Sequence, residues 1–216
     1  TLKKNSISNQ IVASDQNFLE EIKKIKSTKY IIIDDPNFSL KMERKLNSLG
    51  YKICVIEDIC KKHSADIIVN QNFVDKKKLI NLNKYTKSFY IGPEYVLNLN
   101  QIRKIKPKQK KNKKILIYMG GIDSKNYTQK ILKSLNKPEF RIYKFVVIKG
   151  IINNKIKKNT LLGKNIKLIN HKNNFEKYLF NFDLCITSGG SSIWQMLYAN
   201  LKILVINQNL NQSYNS

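Results

Sequence analysis

Short apolar runs that stop on acids or paired glycines recur along this chain, and stretches with helical spacing lie between them. The runs are YIIIDD (30–35), YKICVIED (51–58), DIIVNQN (66–72), KILIYMGG (114–121), FRIYKFVVIKG (140–150), NIKLIN (165–170), DLCITSGG (183–190) and KILVINQN (202–209). They are short, rich in β-branched residues and largely without polar alternation. That pattern predicts parallel strands buried on both faces. Between them, Phe18, Leu19, Ile22 and Ile25 mark a helix over 15–27, and FSLKMERKLNSL (38–49) a second one that stops at Gly50. SKNYTQKILKSL (124–135), NNFEKYLFNF (173–182) and SSIWQMLYAN (191–200) predict three more, and FYIGPEY (89–95) a strand stub and a turn. Strands and helices that alternate over short loops specify parallel α/β layers.

The pattern is interrupted once. RKIKPKQKKNKK (103–114) is basic throughout and holds Pro107, which reads as an exposed connection. The chain therefore divides into an N-terminal Rossmann-like domain over 1–105, a basic linker over 106–114 and a C-terminal Rossmann-like domain over 115–216. The 216 residues suffice for two small cores. The first residue is not Met, and the last residues follow a strand with no closing helix, so the expectation is a chain incomplete at both ends, its N-terminal domain truncated.

Composition narrows the partners. The net charge is +25, from 40 Lys and Arg against 15 Asp and Glu, yet Arg occurs only at 44, 103 and 141. Nucleic-acid surfaces favour Arg with interleaved aromatics, whereas Lys, Asn and Ile are over-used everywhere here, the mark of a compositional bias. No nucleic-acid partner is expected. The charge would draw an anionic small molecule, and it leaves room for peripheral contact with an anionic membrane. No apolar run is long enough to span a bilayer and no secretory leader is seen, so the expected location is cytoplasmic. Cys54, Cys60 and Cys185 fit neither a metal motif nor an even disulfide set and read as reduced. His63 and His171 lie far apart, support no metal site and read as solvated loop residues. The acids Asp34, Asp35, Glu57 and Asp58 end neighbouring strands, where they line a cleft or serve as caps and turn formers.

The chemistry concentrates at YMGGIDSKN (118–126) and TSGGSSIWQ (187–195), each placed after a strand and before a helix. Ligands of open α/β sheets bind beyond the carboxyl ends of the strands. Free N–H groups at helix starts suit phosphate, and glycines let the backbone approach it. A glycine pair before a helix is also an ordinary tight turn; two pairs in one domain favour the phosphate reading. Neither turn is followed by Gly-Lys-Ser/Thr, and neither matches Gly-x-Gly-x-x-Gly, so no P-loop and no nicotinamide cofactor is indicated. Asp123 is a helix cap or a ligand contact, and Trp194 reads as core.

In order along the chain, YIIIDDPNF, ICVIEDICKKHSADIIVNQN, IGPEYVL, ILIYMGGIDSKNYT, DLCITSGGSSIWQM and INQNLNQ resemble the UDP-sugar hydrolase family of pseudaminic acid biosynthesis, which removes UDP from a diacetamido-trideoxy-altropyranose nucleotide. That family is related to GT-B glycosyltransferases such as the lipid II-forming N-acetylglucosaminyltransferase. The resemblance implies a GT-B-like α/β fold of two Rossmann-like parallel-sheet domains, with UDP on the C-terminal one. It implies a UDP-sugar substrate held by Gly120, Gly121, Asp123, Gly189, Gly190, Ser191, Ser192, Gln195, Asn211 and Gln212, with Gln195 toward the ribose and no metal or cofactor. Gln195 stands where the family has Glu, and the family's Gly-x-Gly-His loop, which carries its catalytic histidine, does not occur here. No catalytic residue is therefore assigned. The alternatives are a GT-B glycosyltransferase with a UDP-sugar donor and a non-catalytic nucleotide-sugar-binding fragment. Neither the exact sugar nor the oligomeric state follows from the sequence.

Overall fold

A computed structural model describes residues 15–25, 29–97, 99, 102, 113–150, 163–170, 175–208 and 212. The chain forms two compact units, one of residues 1–70 and 75–90, the other of residues 71–74 and 91–216. Both are parallel α/β structures, as the alternation predicts.

In the first unit the order is α1 (Asp15–Lys24), β1 (Tyr30–Ile33), α2 (Leu40–Ser48), β2 (Lys52–Ile56), β3 (Ile67–Asn70), α3 (Lys76–Leu82) and β4 (Ser88–Ile91). The sheet order is β1-β2-β3-β4, and β1–β2 and β2–β3 pair in parallel. Register places Ile33 beside Val55 and Val55 beside Ile68, so three buried side chains share one face. Ser39 caps α2 through the amide of Met42, and Asp75 caps α3 through that of Lys78. The sequence reading missed α3. Only Leu79 of that helix is buried, while Ile80 and Leu82 face solvent, so no apolar stripe announced it.

The irregular connection between β2 and β3 is organised around His63, which is buried rather than solvated. His63 Nδ1 pairs with Glu43 Oε1 at 2.8 Å and Nε2 with Glu57 Oε2. All three side chains are about 2% exposed or less. Glu43 also accepts from the amide of Ser64, and Glu57 from those of Asp58 and Ile59. The His63 amide donates to Asn83 Oδ1, whose own Nδ2 bonds to the carbonyls of Lys61 and Leu79. His63 thus ties α2 to the connection through its ring and reaches the end of α3 through its backbone amide. Burial alone would lower the His63 pKa, but its bonds to Glu43 and then Glu57 outweigh burial and raise it. Burial would raise that of Glu57, but the bonds from His63 and the Ile59 amide lower it.

The second unit runs β5 (Lys114–Tyr118), α4 (Tyr127–Ser134), β6 (Lys144–Lys149), β7 (Ile166–Asn170), α5 (Glu176–Leu179), β8 (Leu184–Thr187), α6 (Ser192–Tyr198) and β9 (Lys202–Val205). Its sheet order is β7-β6-β5-β8-β9, with every neighbouring pair parallel. The strand period divides β5 between two cores. Leu116 and Tyr118 join Ile148, Cys185, Phe175, Leu179, Ile193, Trp194 and Met196 on the α5 and α6 side. Ile117 joins Leu132, Phe145, Val147 and Ile166 on the α4 side. Val96, Leu99 and Ile102 pack into the first of these cores, so residues from Ile91 onward belong here and not to the N-terminal domain. The sequence reading followed the charge run to place the boundary, but the apolar residues before the run decide where that segment packs. Most of the charge run itself, 103–112, lies outside the described residues.

The signs of the two shifts fix a stability window for the first unit. The His63 contribution is complete below its ordinary value of 6.5 and is lost as pH rises through the raised folded value. The Glu57 contribution is complete above 4.5 and is lost as pH falls through the lowered folded value. Urea unfolding followed by circular dichroism is expected to show greatest stability of this unit between these pH values, with a decline on the alkaline side. His63→Gln, which leaves two buried carboxylates without their cation, should cost roughly 3–5 kcal/mol and flatten that decline.

Candidate functional site

Strand order alone locates the crevice of the second unit. β5 continues through α4 to β6 on one side, whereas β8, which neighbours β5 on the other side, continues through α6 to β9. The loops that leave β5 and β8 therefore diverge, and the gap between them is the topological switch point where open α/β sheets bind ligands. The two glycine pairs singled out in the sequence, Gly120–Gly121 and Gly189–Gly190, are the residues at that gap.

Side-chain donors bind the two loops together. Thr187 Oγ1 donates to the carbonyl of Tyr118 at 2.7 Å, and Ser188 Oγ to that of Met119 at 3.3 Å. Gln208 Nε2, from the segment after β9, donates to the same Met119 carbonyl at 2.9 Å. Thr187, Ser188 and Gln208 are all buried. Gly120 turns with φ +85°, and a Cβ there would stand 3.4 Å from Ser188 Oγ. Against that frame the glycines differ. A Cβ on Gly121 would meet nothing within 4 Å, and one on Gly190 only Ser188 Oγ at 3.9 Å. On Gly189 it would lie 2.5 Å from the Gln212 carbonyl oxygen and 3.2 Å from Asn207 Oδ1. Gly121 and Gly190 therefore border open space, while Gly189 is a packing glycine. A fifth glycine, Gly150 after β6, was not singled out by the sequence. Its Cβ would stand 2.7 Å from both the Gly120 and Gly121 carbonyl oxygens, so it lets the first turn settle against β6.

The remaining candidates separate by their partners. Asp123 is 1% exposed, and its two carboxylate oxygens accept from the amides of Tyr127 and Thr128. It is the cap of α4, with Asn126 before the helix in the left-handed region at φ 57°. Ser191 is exposed and Ser192 partly so, both at the start of α6. Gln195 is buried, and its Nε2 donates to Glu176 Oε1 at 3.2 Å. Gln212 Oε1 accepts from the amide of Gln208. Asn211 and His171 lie outside the described residues. Trp194 is core, 5.4 Å from Phe73 between ring centres, and its indole N–H has no hydrogen-bond partner among the described residues. Burial raises the Cys185 thiol pKa strongly, as befits an inert core cysteine. In the first unit, Asp34, Asp35, Glu57, Asp58, Lys61 and His63 line one small cavity. There Asp35 accepts from the Asn37 amide as a turn former, and Glu57 is engaged by His63.

No protein-family model matches the chain. The uncharacterized protein MJ1062 of Methanocaldococcus jannaschii is 29% identical over 218 residues, a match that takes in 92% of this chain and 44% of that protein. The chain thus spans less than half the length of this curated relative. Among solved structures, the UDP-GlcNAc 2-epimerase of Methanocaldococcus jannaschii, crystallised with UDP-GlcNAc and UDP, is similar with a TM-score of 0.60 at 14% identity, over 97% of this chain and 72% of that one. A Listeria monocytogenes protein assigned as a UDP-N-acetylglucosamine 2-epimerase gives 0.60 at 10% identity, over 98% of this chain and 69% of that one. At such identities the likeness is one of fold, and the fold is GT-B-like, two parallel-sheet α/β units in one chain. No described helix is long and apolar enough to cross a membrane.

The glycines predict a graded response. Gly150→Ala forces a methyl against two backbone carbonyls and should lower the melting temperature by several degrees, whereas Gly121→Ala should leave it unchanged. Asp123→Ala removes the α4 cap and should cost about 1–2 kcal/mol in denaturant unfolding.

Proposed function

We propose that the second unit holds the diphosphate of a UDP-sugar at the gap between the loops that follow β5 and β8. The observation that carries this reading is the coincidence of the switch point with two glycine turns, of which Gly121 and Gly190 border open space. Backbone amides of these turns, with the hydroxyls of Ser191 and Ser192, supply neutral donors for phosphate oxygens. Gly120 and Gly189 shape the turns, Asp123 fixes α4 behind the first of them, and Gln212 braces the second. Asn211, from the same resemblance, belongs with Gln212 on the sugar or phosphate side. Fold likeness to an enzyme crystallised with UDP-GlcNAc and UDP agrees with this ligand class.

The finer reading is that the protein is a nucleotide-sugar hydrolase. It rests on the ordered motifs shared with the pseudaminic acid pathway family, which include the Gly-Gly-x-Asp-x-x-Asn run at 120–126 and the Gly-Ser-Ser-x-Trp run at 190–194. In this reading water attacks the anomeric carbon, the bond from that carbon to the diphosphate oxygen breaks, and UDP leaves. Donors fixed in the turns before the reaction stabilise the charge that grows on the departing diphosphate. The base that takes the proton from water is not assigned to a residue of this chain.

Calorimetric titration with UDP tests the site. Binding in the micromolar to millimolar range is expected, weakened roughly tenfold or more by the Ser191→Ala/Ser192→Ala pair, the scale of a lost charged hydrogen bond. RNA should not compete. A folded chain that fails to bind UDP would remove the nucleotide-sugar reading. Release of UDP from a UDP-sugar without any acceptor separates hydrolysis from glycosyl transfer.

A further inference from the structure

We propose that the first unit carries a ligand site of its own, a hollow of about 480 Å³ that takes a small phosphorylated sugar, with the phosphate on Arg44, Lys52, Lys62 and Lys87. The proposal is independent of the nucleotide reading above, which concerns the second unit alone.

The hollow lies at the amino ends of three strands. Lys52 begins β2, and Asp66 and Lys87 stand just before β3 and β4. The carboxyl ends, where open α/β sheets take their substrates, are at the opposite end of those strands. Four cations reach the hollow from four places: Arg44 from α2, Lys52 from β2, Lys62 from the β2–β3 connection and Lys87 from the segment before β4. One carboxylate, Asp66, faces them. Its Oδ1 lies 3.5 Å from the Lys52 ammonium and 3.4 Å from that of Lys87, and its carbonyl accepts from the amides of Lys87 and Ser88. Asp66 thus gathers two lysines that it cannot neutralise alone. Arg44 and Lys62 make no ion pair among the described residues. His63 also lines the hollow, but Glu43 and Glu57 engage its ring.

Lysines on a convex face spread apart into water. Here like charges converge on a concave space, which focuses their field and concentrates anions. The walls are fixed: Asn47 Nδ2 donates to the carbonyl and hydroxyl oxygens of Ser64, and Thr86 Oγ1 to the Ala65 carbonyl at 2.9 Å. Arg44 is one of three arginines in a chain with 40 basic residues. Its planar fork matches two phosphate oxygens at once, as an ammonium does not. Size selects further. The volume falls within the roughly 300–1,000 Å³ of small-molecule pockets, and a free phosphate would fill little of it. A polynucleotide needs an open track of cations instead. Tyr51 and Tyr85 complete the lining. Tyr85 is 99% exposed and offers an apolar face at the mouth, suited to a sugar ring. A phosphate on a sugar-sized body uses both the cations and the tyrosines.

Calorimetry on the full chain tests the site with glucose 6-phosphate, inorganic phosphate and glucose as probes. Glucose 6-phosphate is expected to bind at one site, inorganic phosphate more weakly and glucose not at all. Arg44→Gln/Lys62→Gln should weaken glucose 6-phosphate roughly tenfold or more, the scale of lost charged hydrogen bonds, and leave the response to UDP as in the wild type. Lys133→Gln/Lys137→Gln in the second unit removes the same amount of charge and should change glucose 6-phosphate binding by less than about twofold, since salt screens distant charges. Tyr85→Ala, at a ring whose loss leaves no cavity, should weaken glucose 6-phosphate severalfold without moving the melting temperature, which keeps the idea testable should the Arg44 and Lys62 pair fail to fold. No binding of glucose 6-phosphate would overturn the proposal, as would an equal loss in the two double variants or undiminished binding by Tyr85→Ala. Inorganic phosphate that binds as tightly would reduce the site to an anion trap and overturn its sugar specificity. RNA binding that depends on Arg44 and Lys62, in place of the sugar phosphate, would overturn it in favour of a polynucleotide.

Discussion

The carbonyl oxygens of Tyr118 and Met119 hold the second unit's crevice in shape. Three buried side chains from two other loops, Thr187, Ser188 and Gln208, donate to them. Strand order makes the loops after β5 and β8 diverge, and diverging loops alone would leave a flexible gap. The donors close its floor and fix the glycine turns above. In the proposed role as a diphosphate site, turns fixed this way would need little reorganisation when charge develops on a bound group. It also explains the uneven roles of the glycines. Gly189 and Gly150 serve close backbone packing, and Gly121 and Gly190 are left to face the open side.

The first unit solves a different problem. Its β2–β3 connection has no regular structure over much of its length, and a buried irregular segment must still satisfy its amides. Glu43 and Glu57 accept three of the bonds that do so, from the amides of Ser64, Asp58 and Ile59, and each also pairs with the imidazole between them. Two buried carboxylates could not persist together without a cation, and His63 supplies it. The cost of burying the cluster is met by making every member of it a hydrogen-bond partner.

Much of this architecture was legible in the sequence because parallel strands buried on both faces carry an unbroken apolar signature. The glycine turns were legible as turns for a related reason, since a strand that runs into Gly-Gly before a helix marks a sharp reversal at the strand's end. What escaped is what depends on contacts across the chain. α3 hides behind a lysine-rich start with one buried leucine. His63 looked like any loop histidine until Glu43, twenty residues earlier, came beside it. Gly189 and Gly190 are adjacent and alike on paper, and only Gln212 and Asn207, which come against Gly189, tell them apart. The Glu176–Gln195 pair joins two helices whose sequences give no hint of each other.

The net charge of +25 and the site obey separate logics. Gly121, Gly190, Ser191, Ser192, Gln195 and Gln208 are all neutral, and the carboxylates of Asp123 and Glu176 are the charges tied directly to the turn's helices. Lysines spread over a surface raise the local concentration of any anion, and salt screens that effect within a few ångströms to a few nanometres. They cannot tell one anion from another. Selection has to come from groups with fixed direction, and at this crevice the frame that fixes direction is the set of Thr187, Ser188 and Gln208 donors on the Tyr118 and Met119 carbonyls.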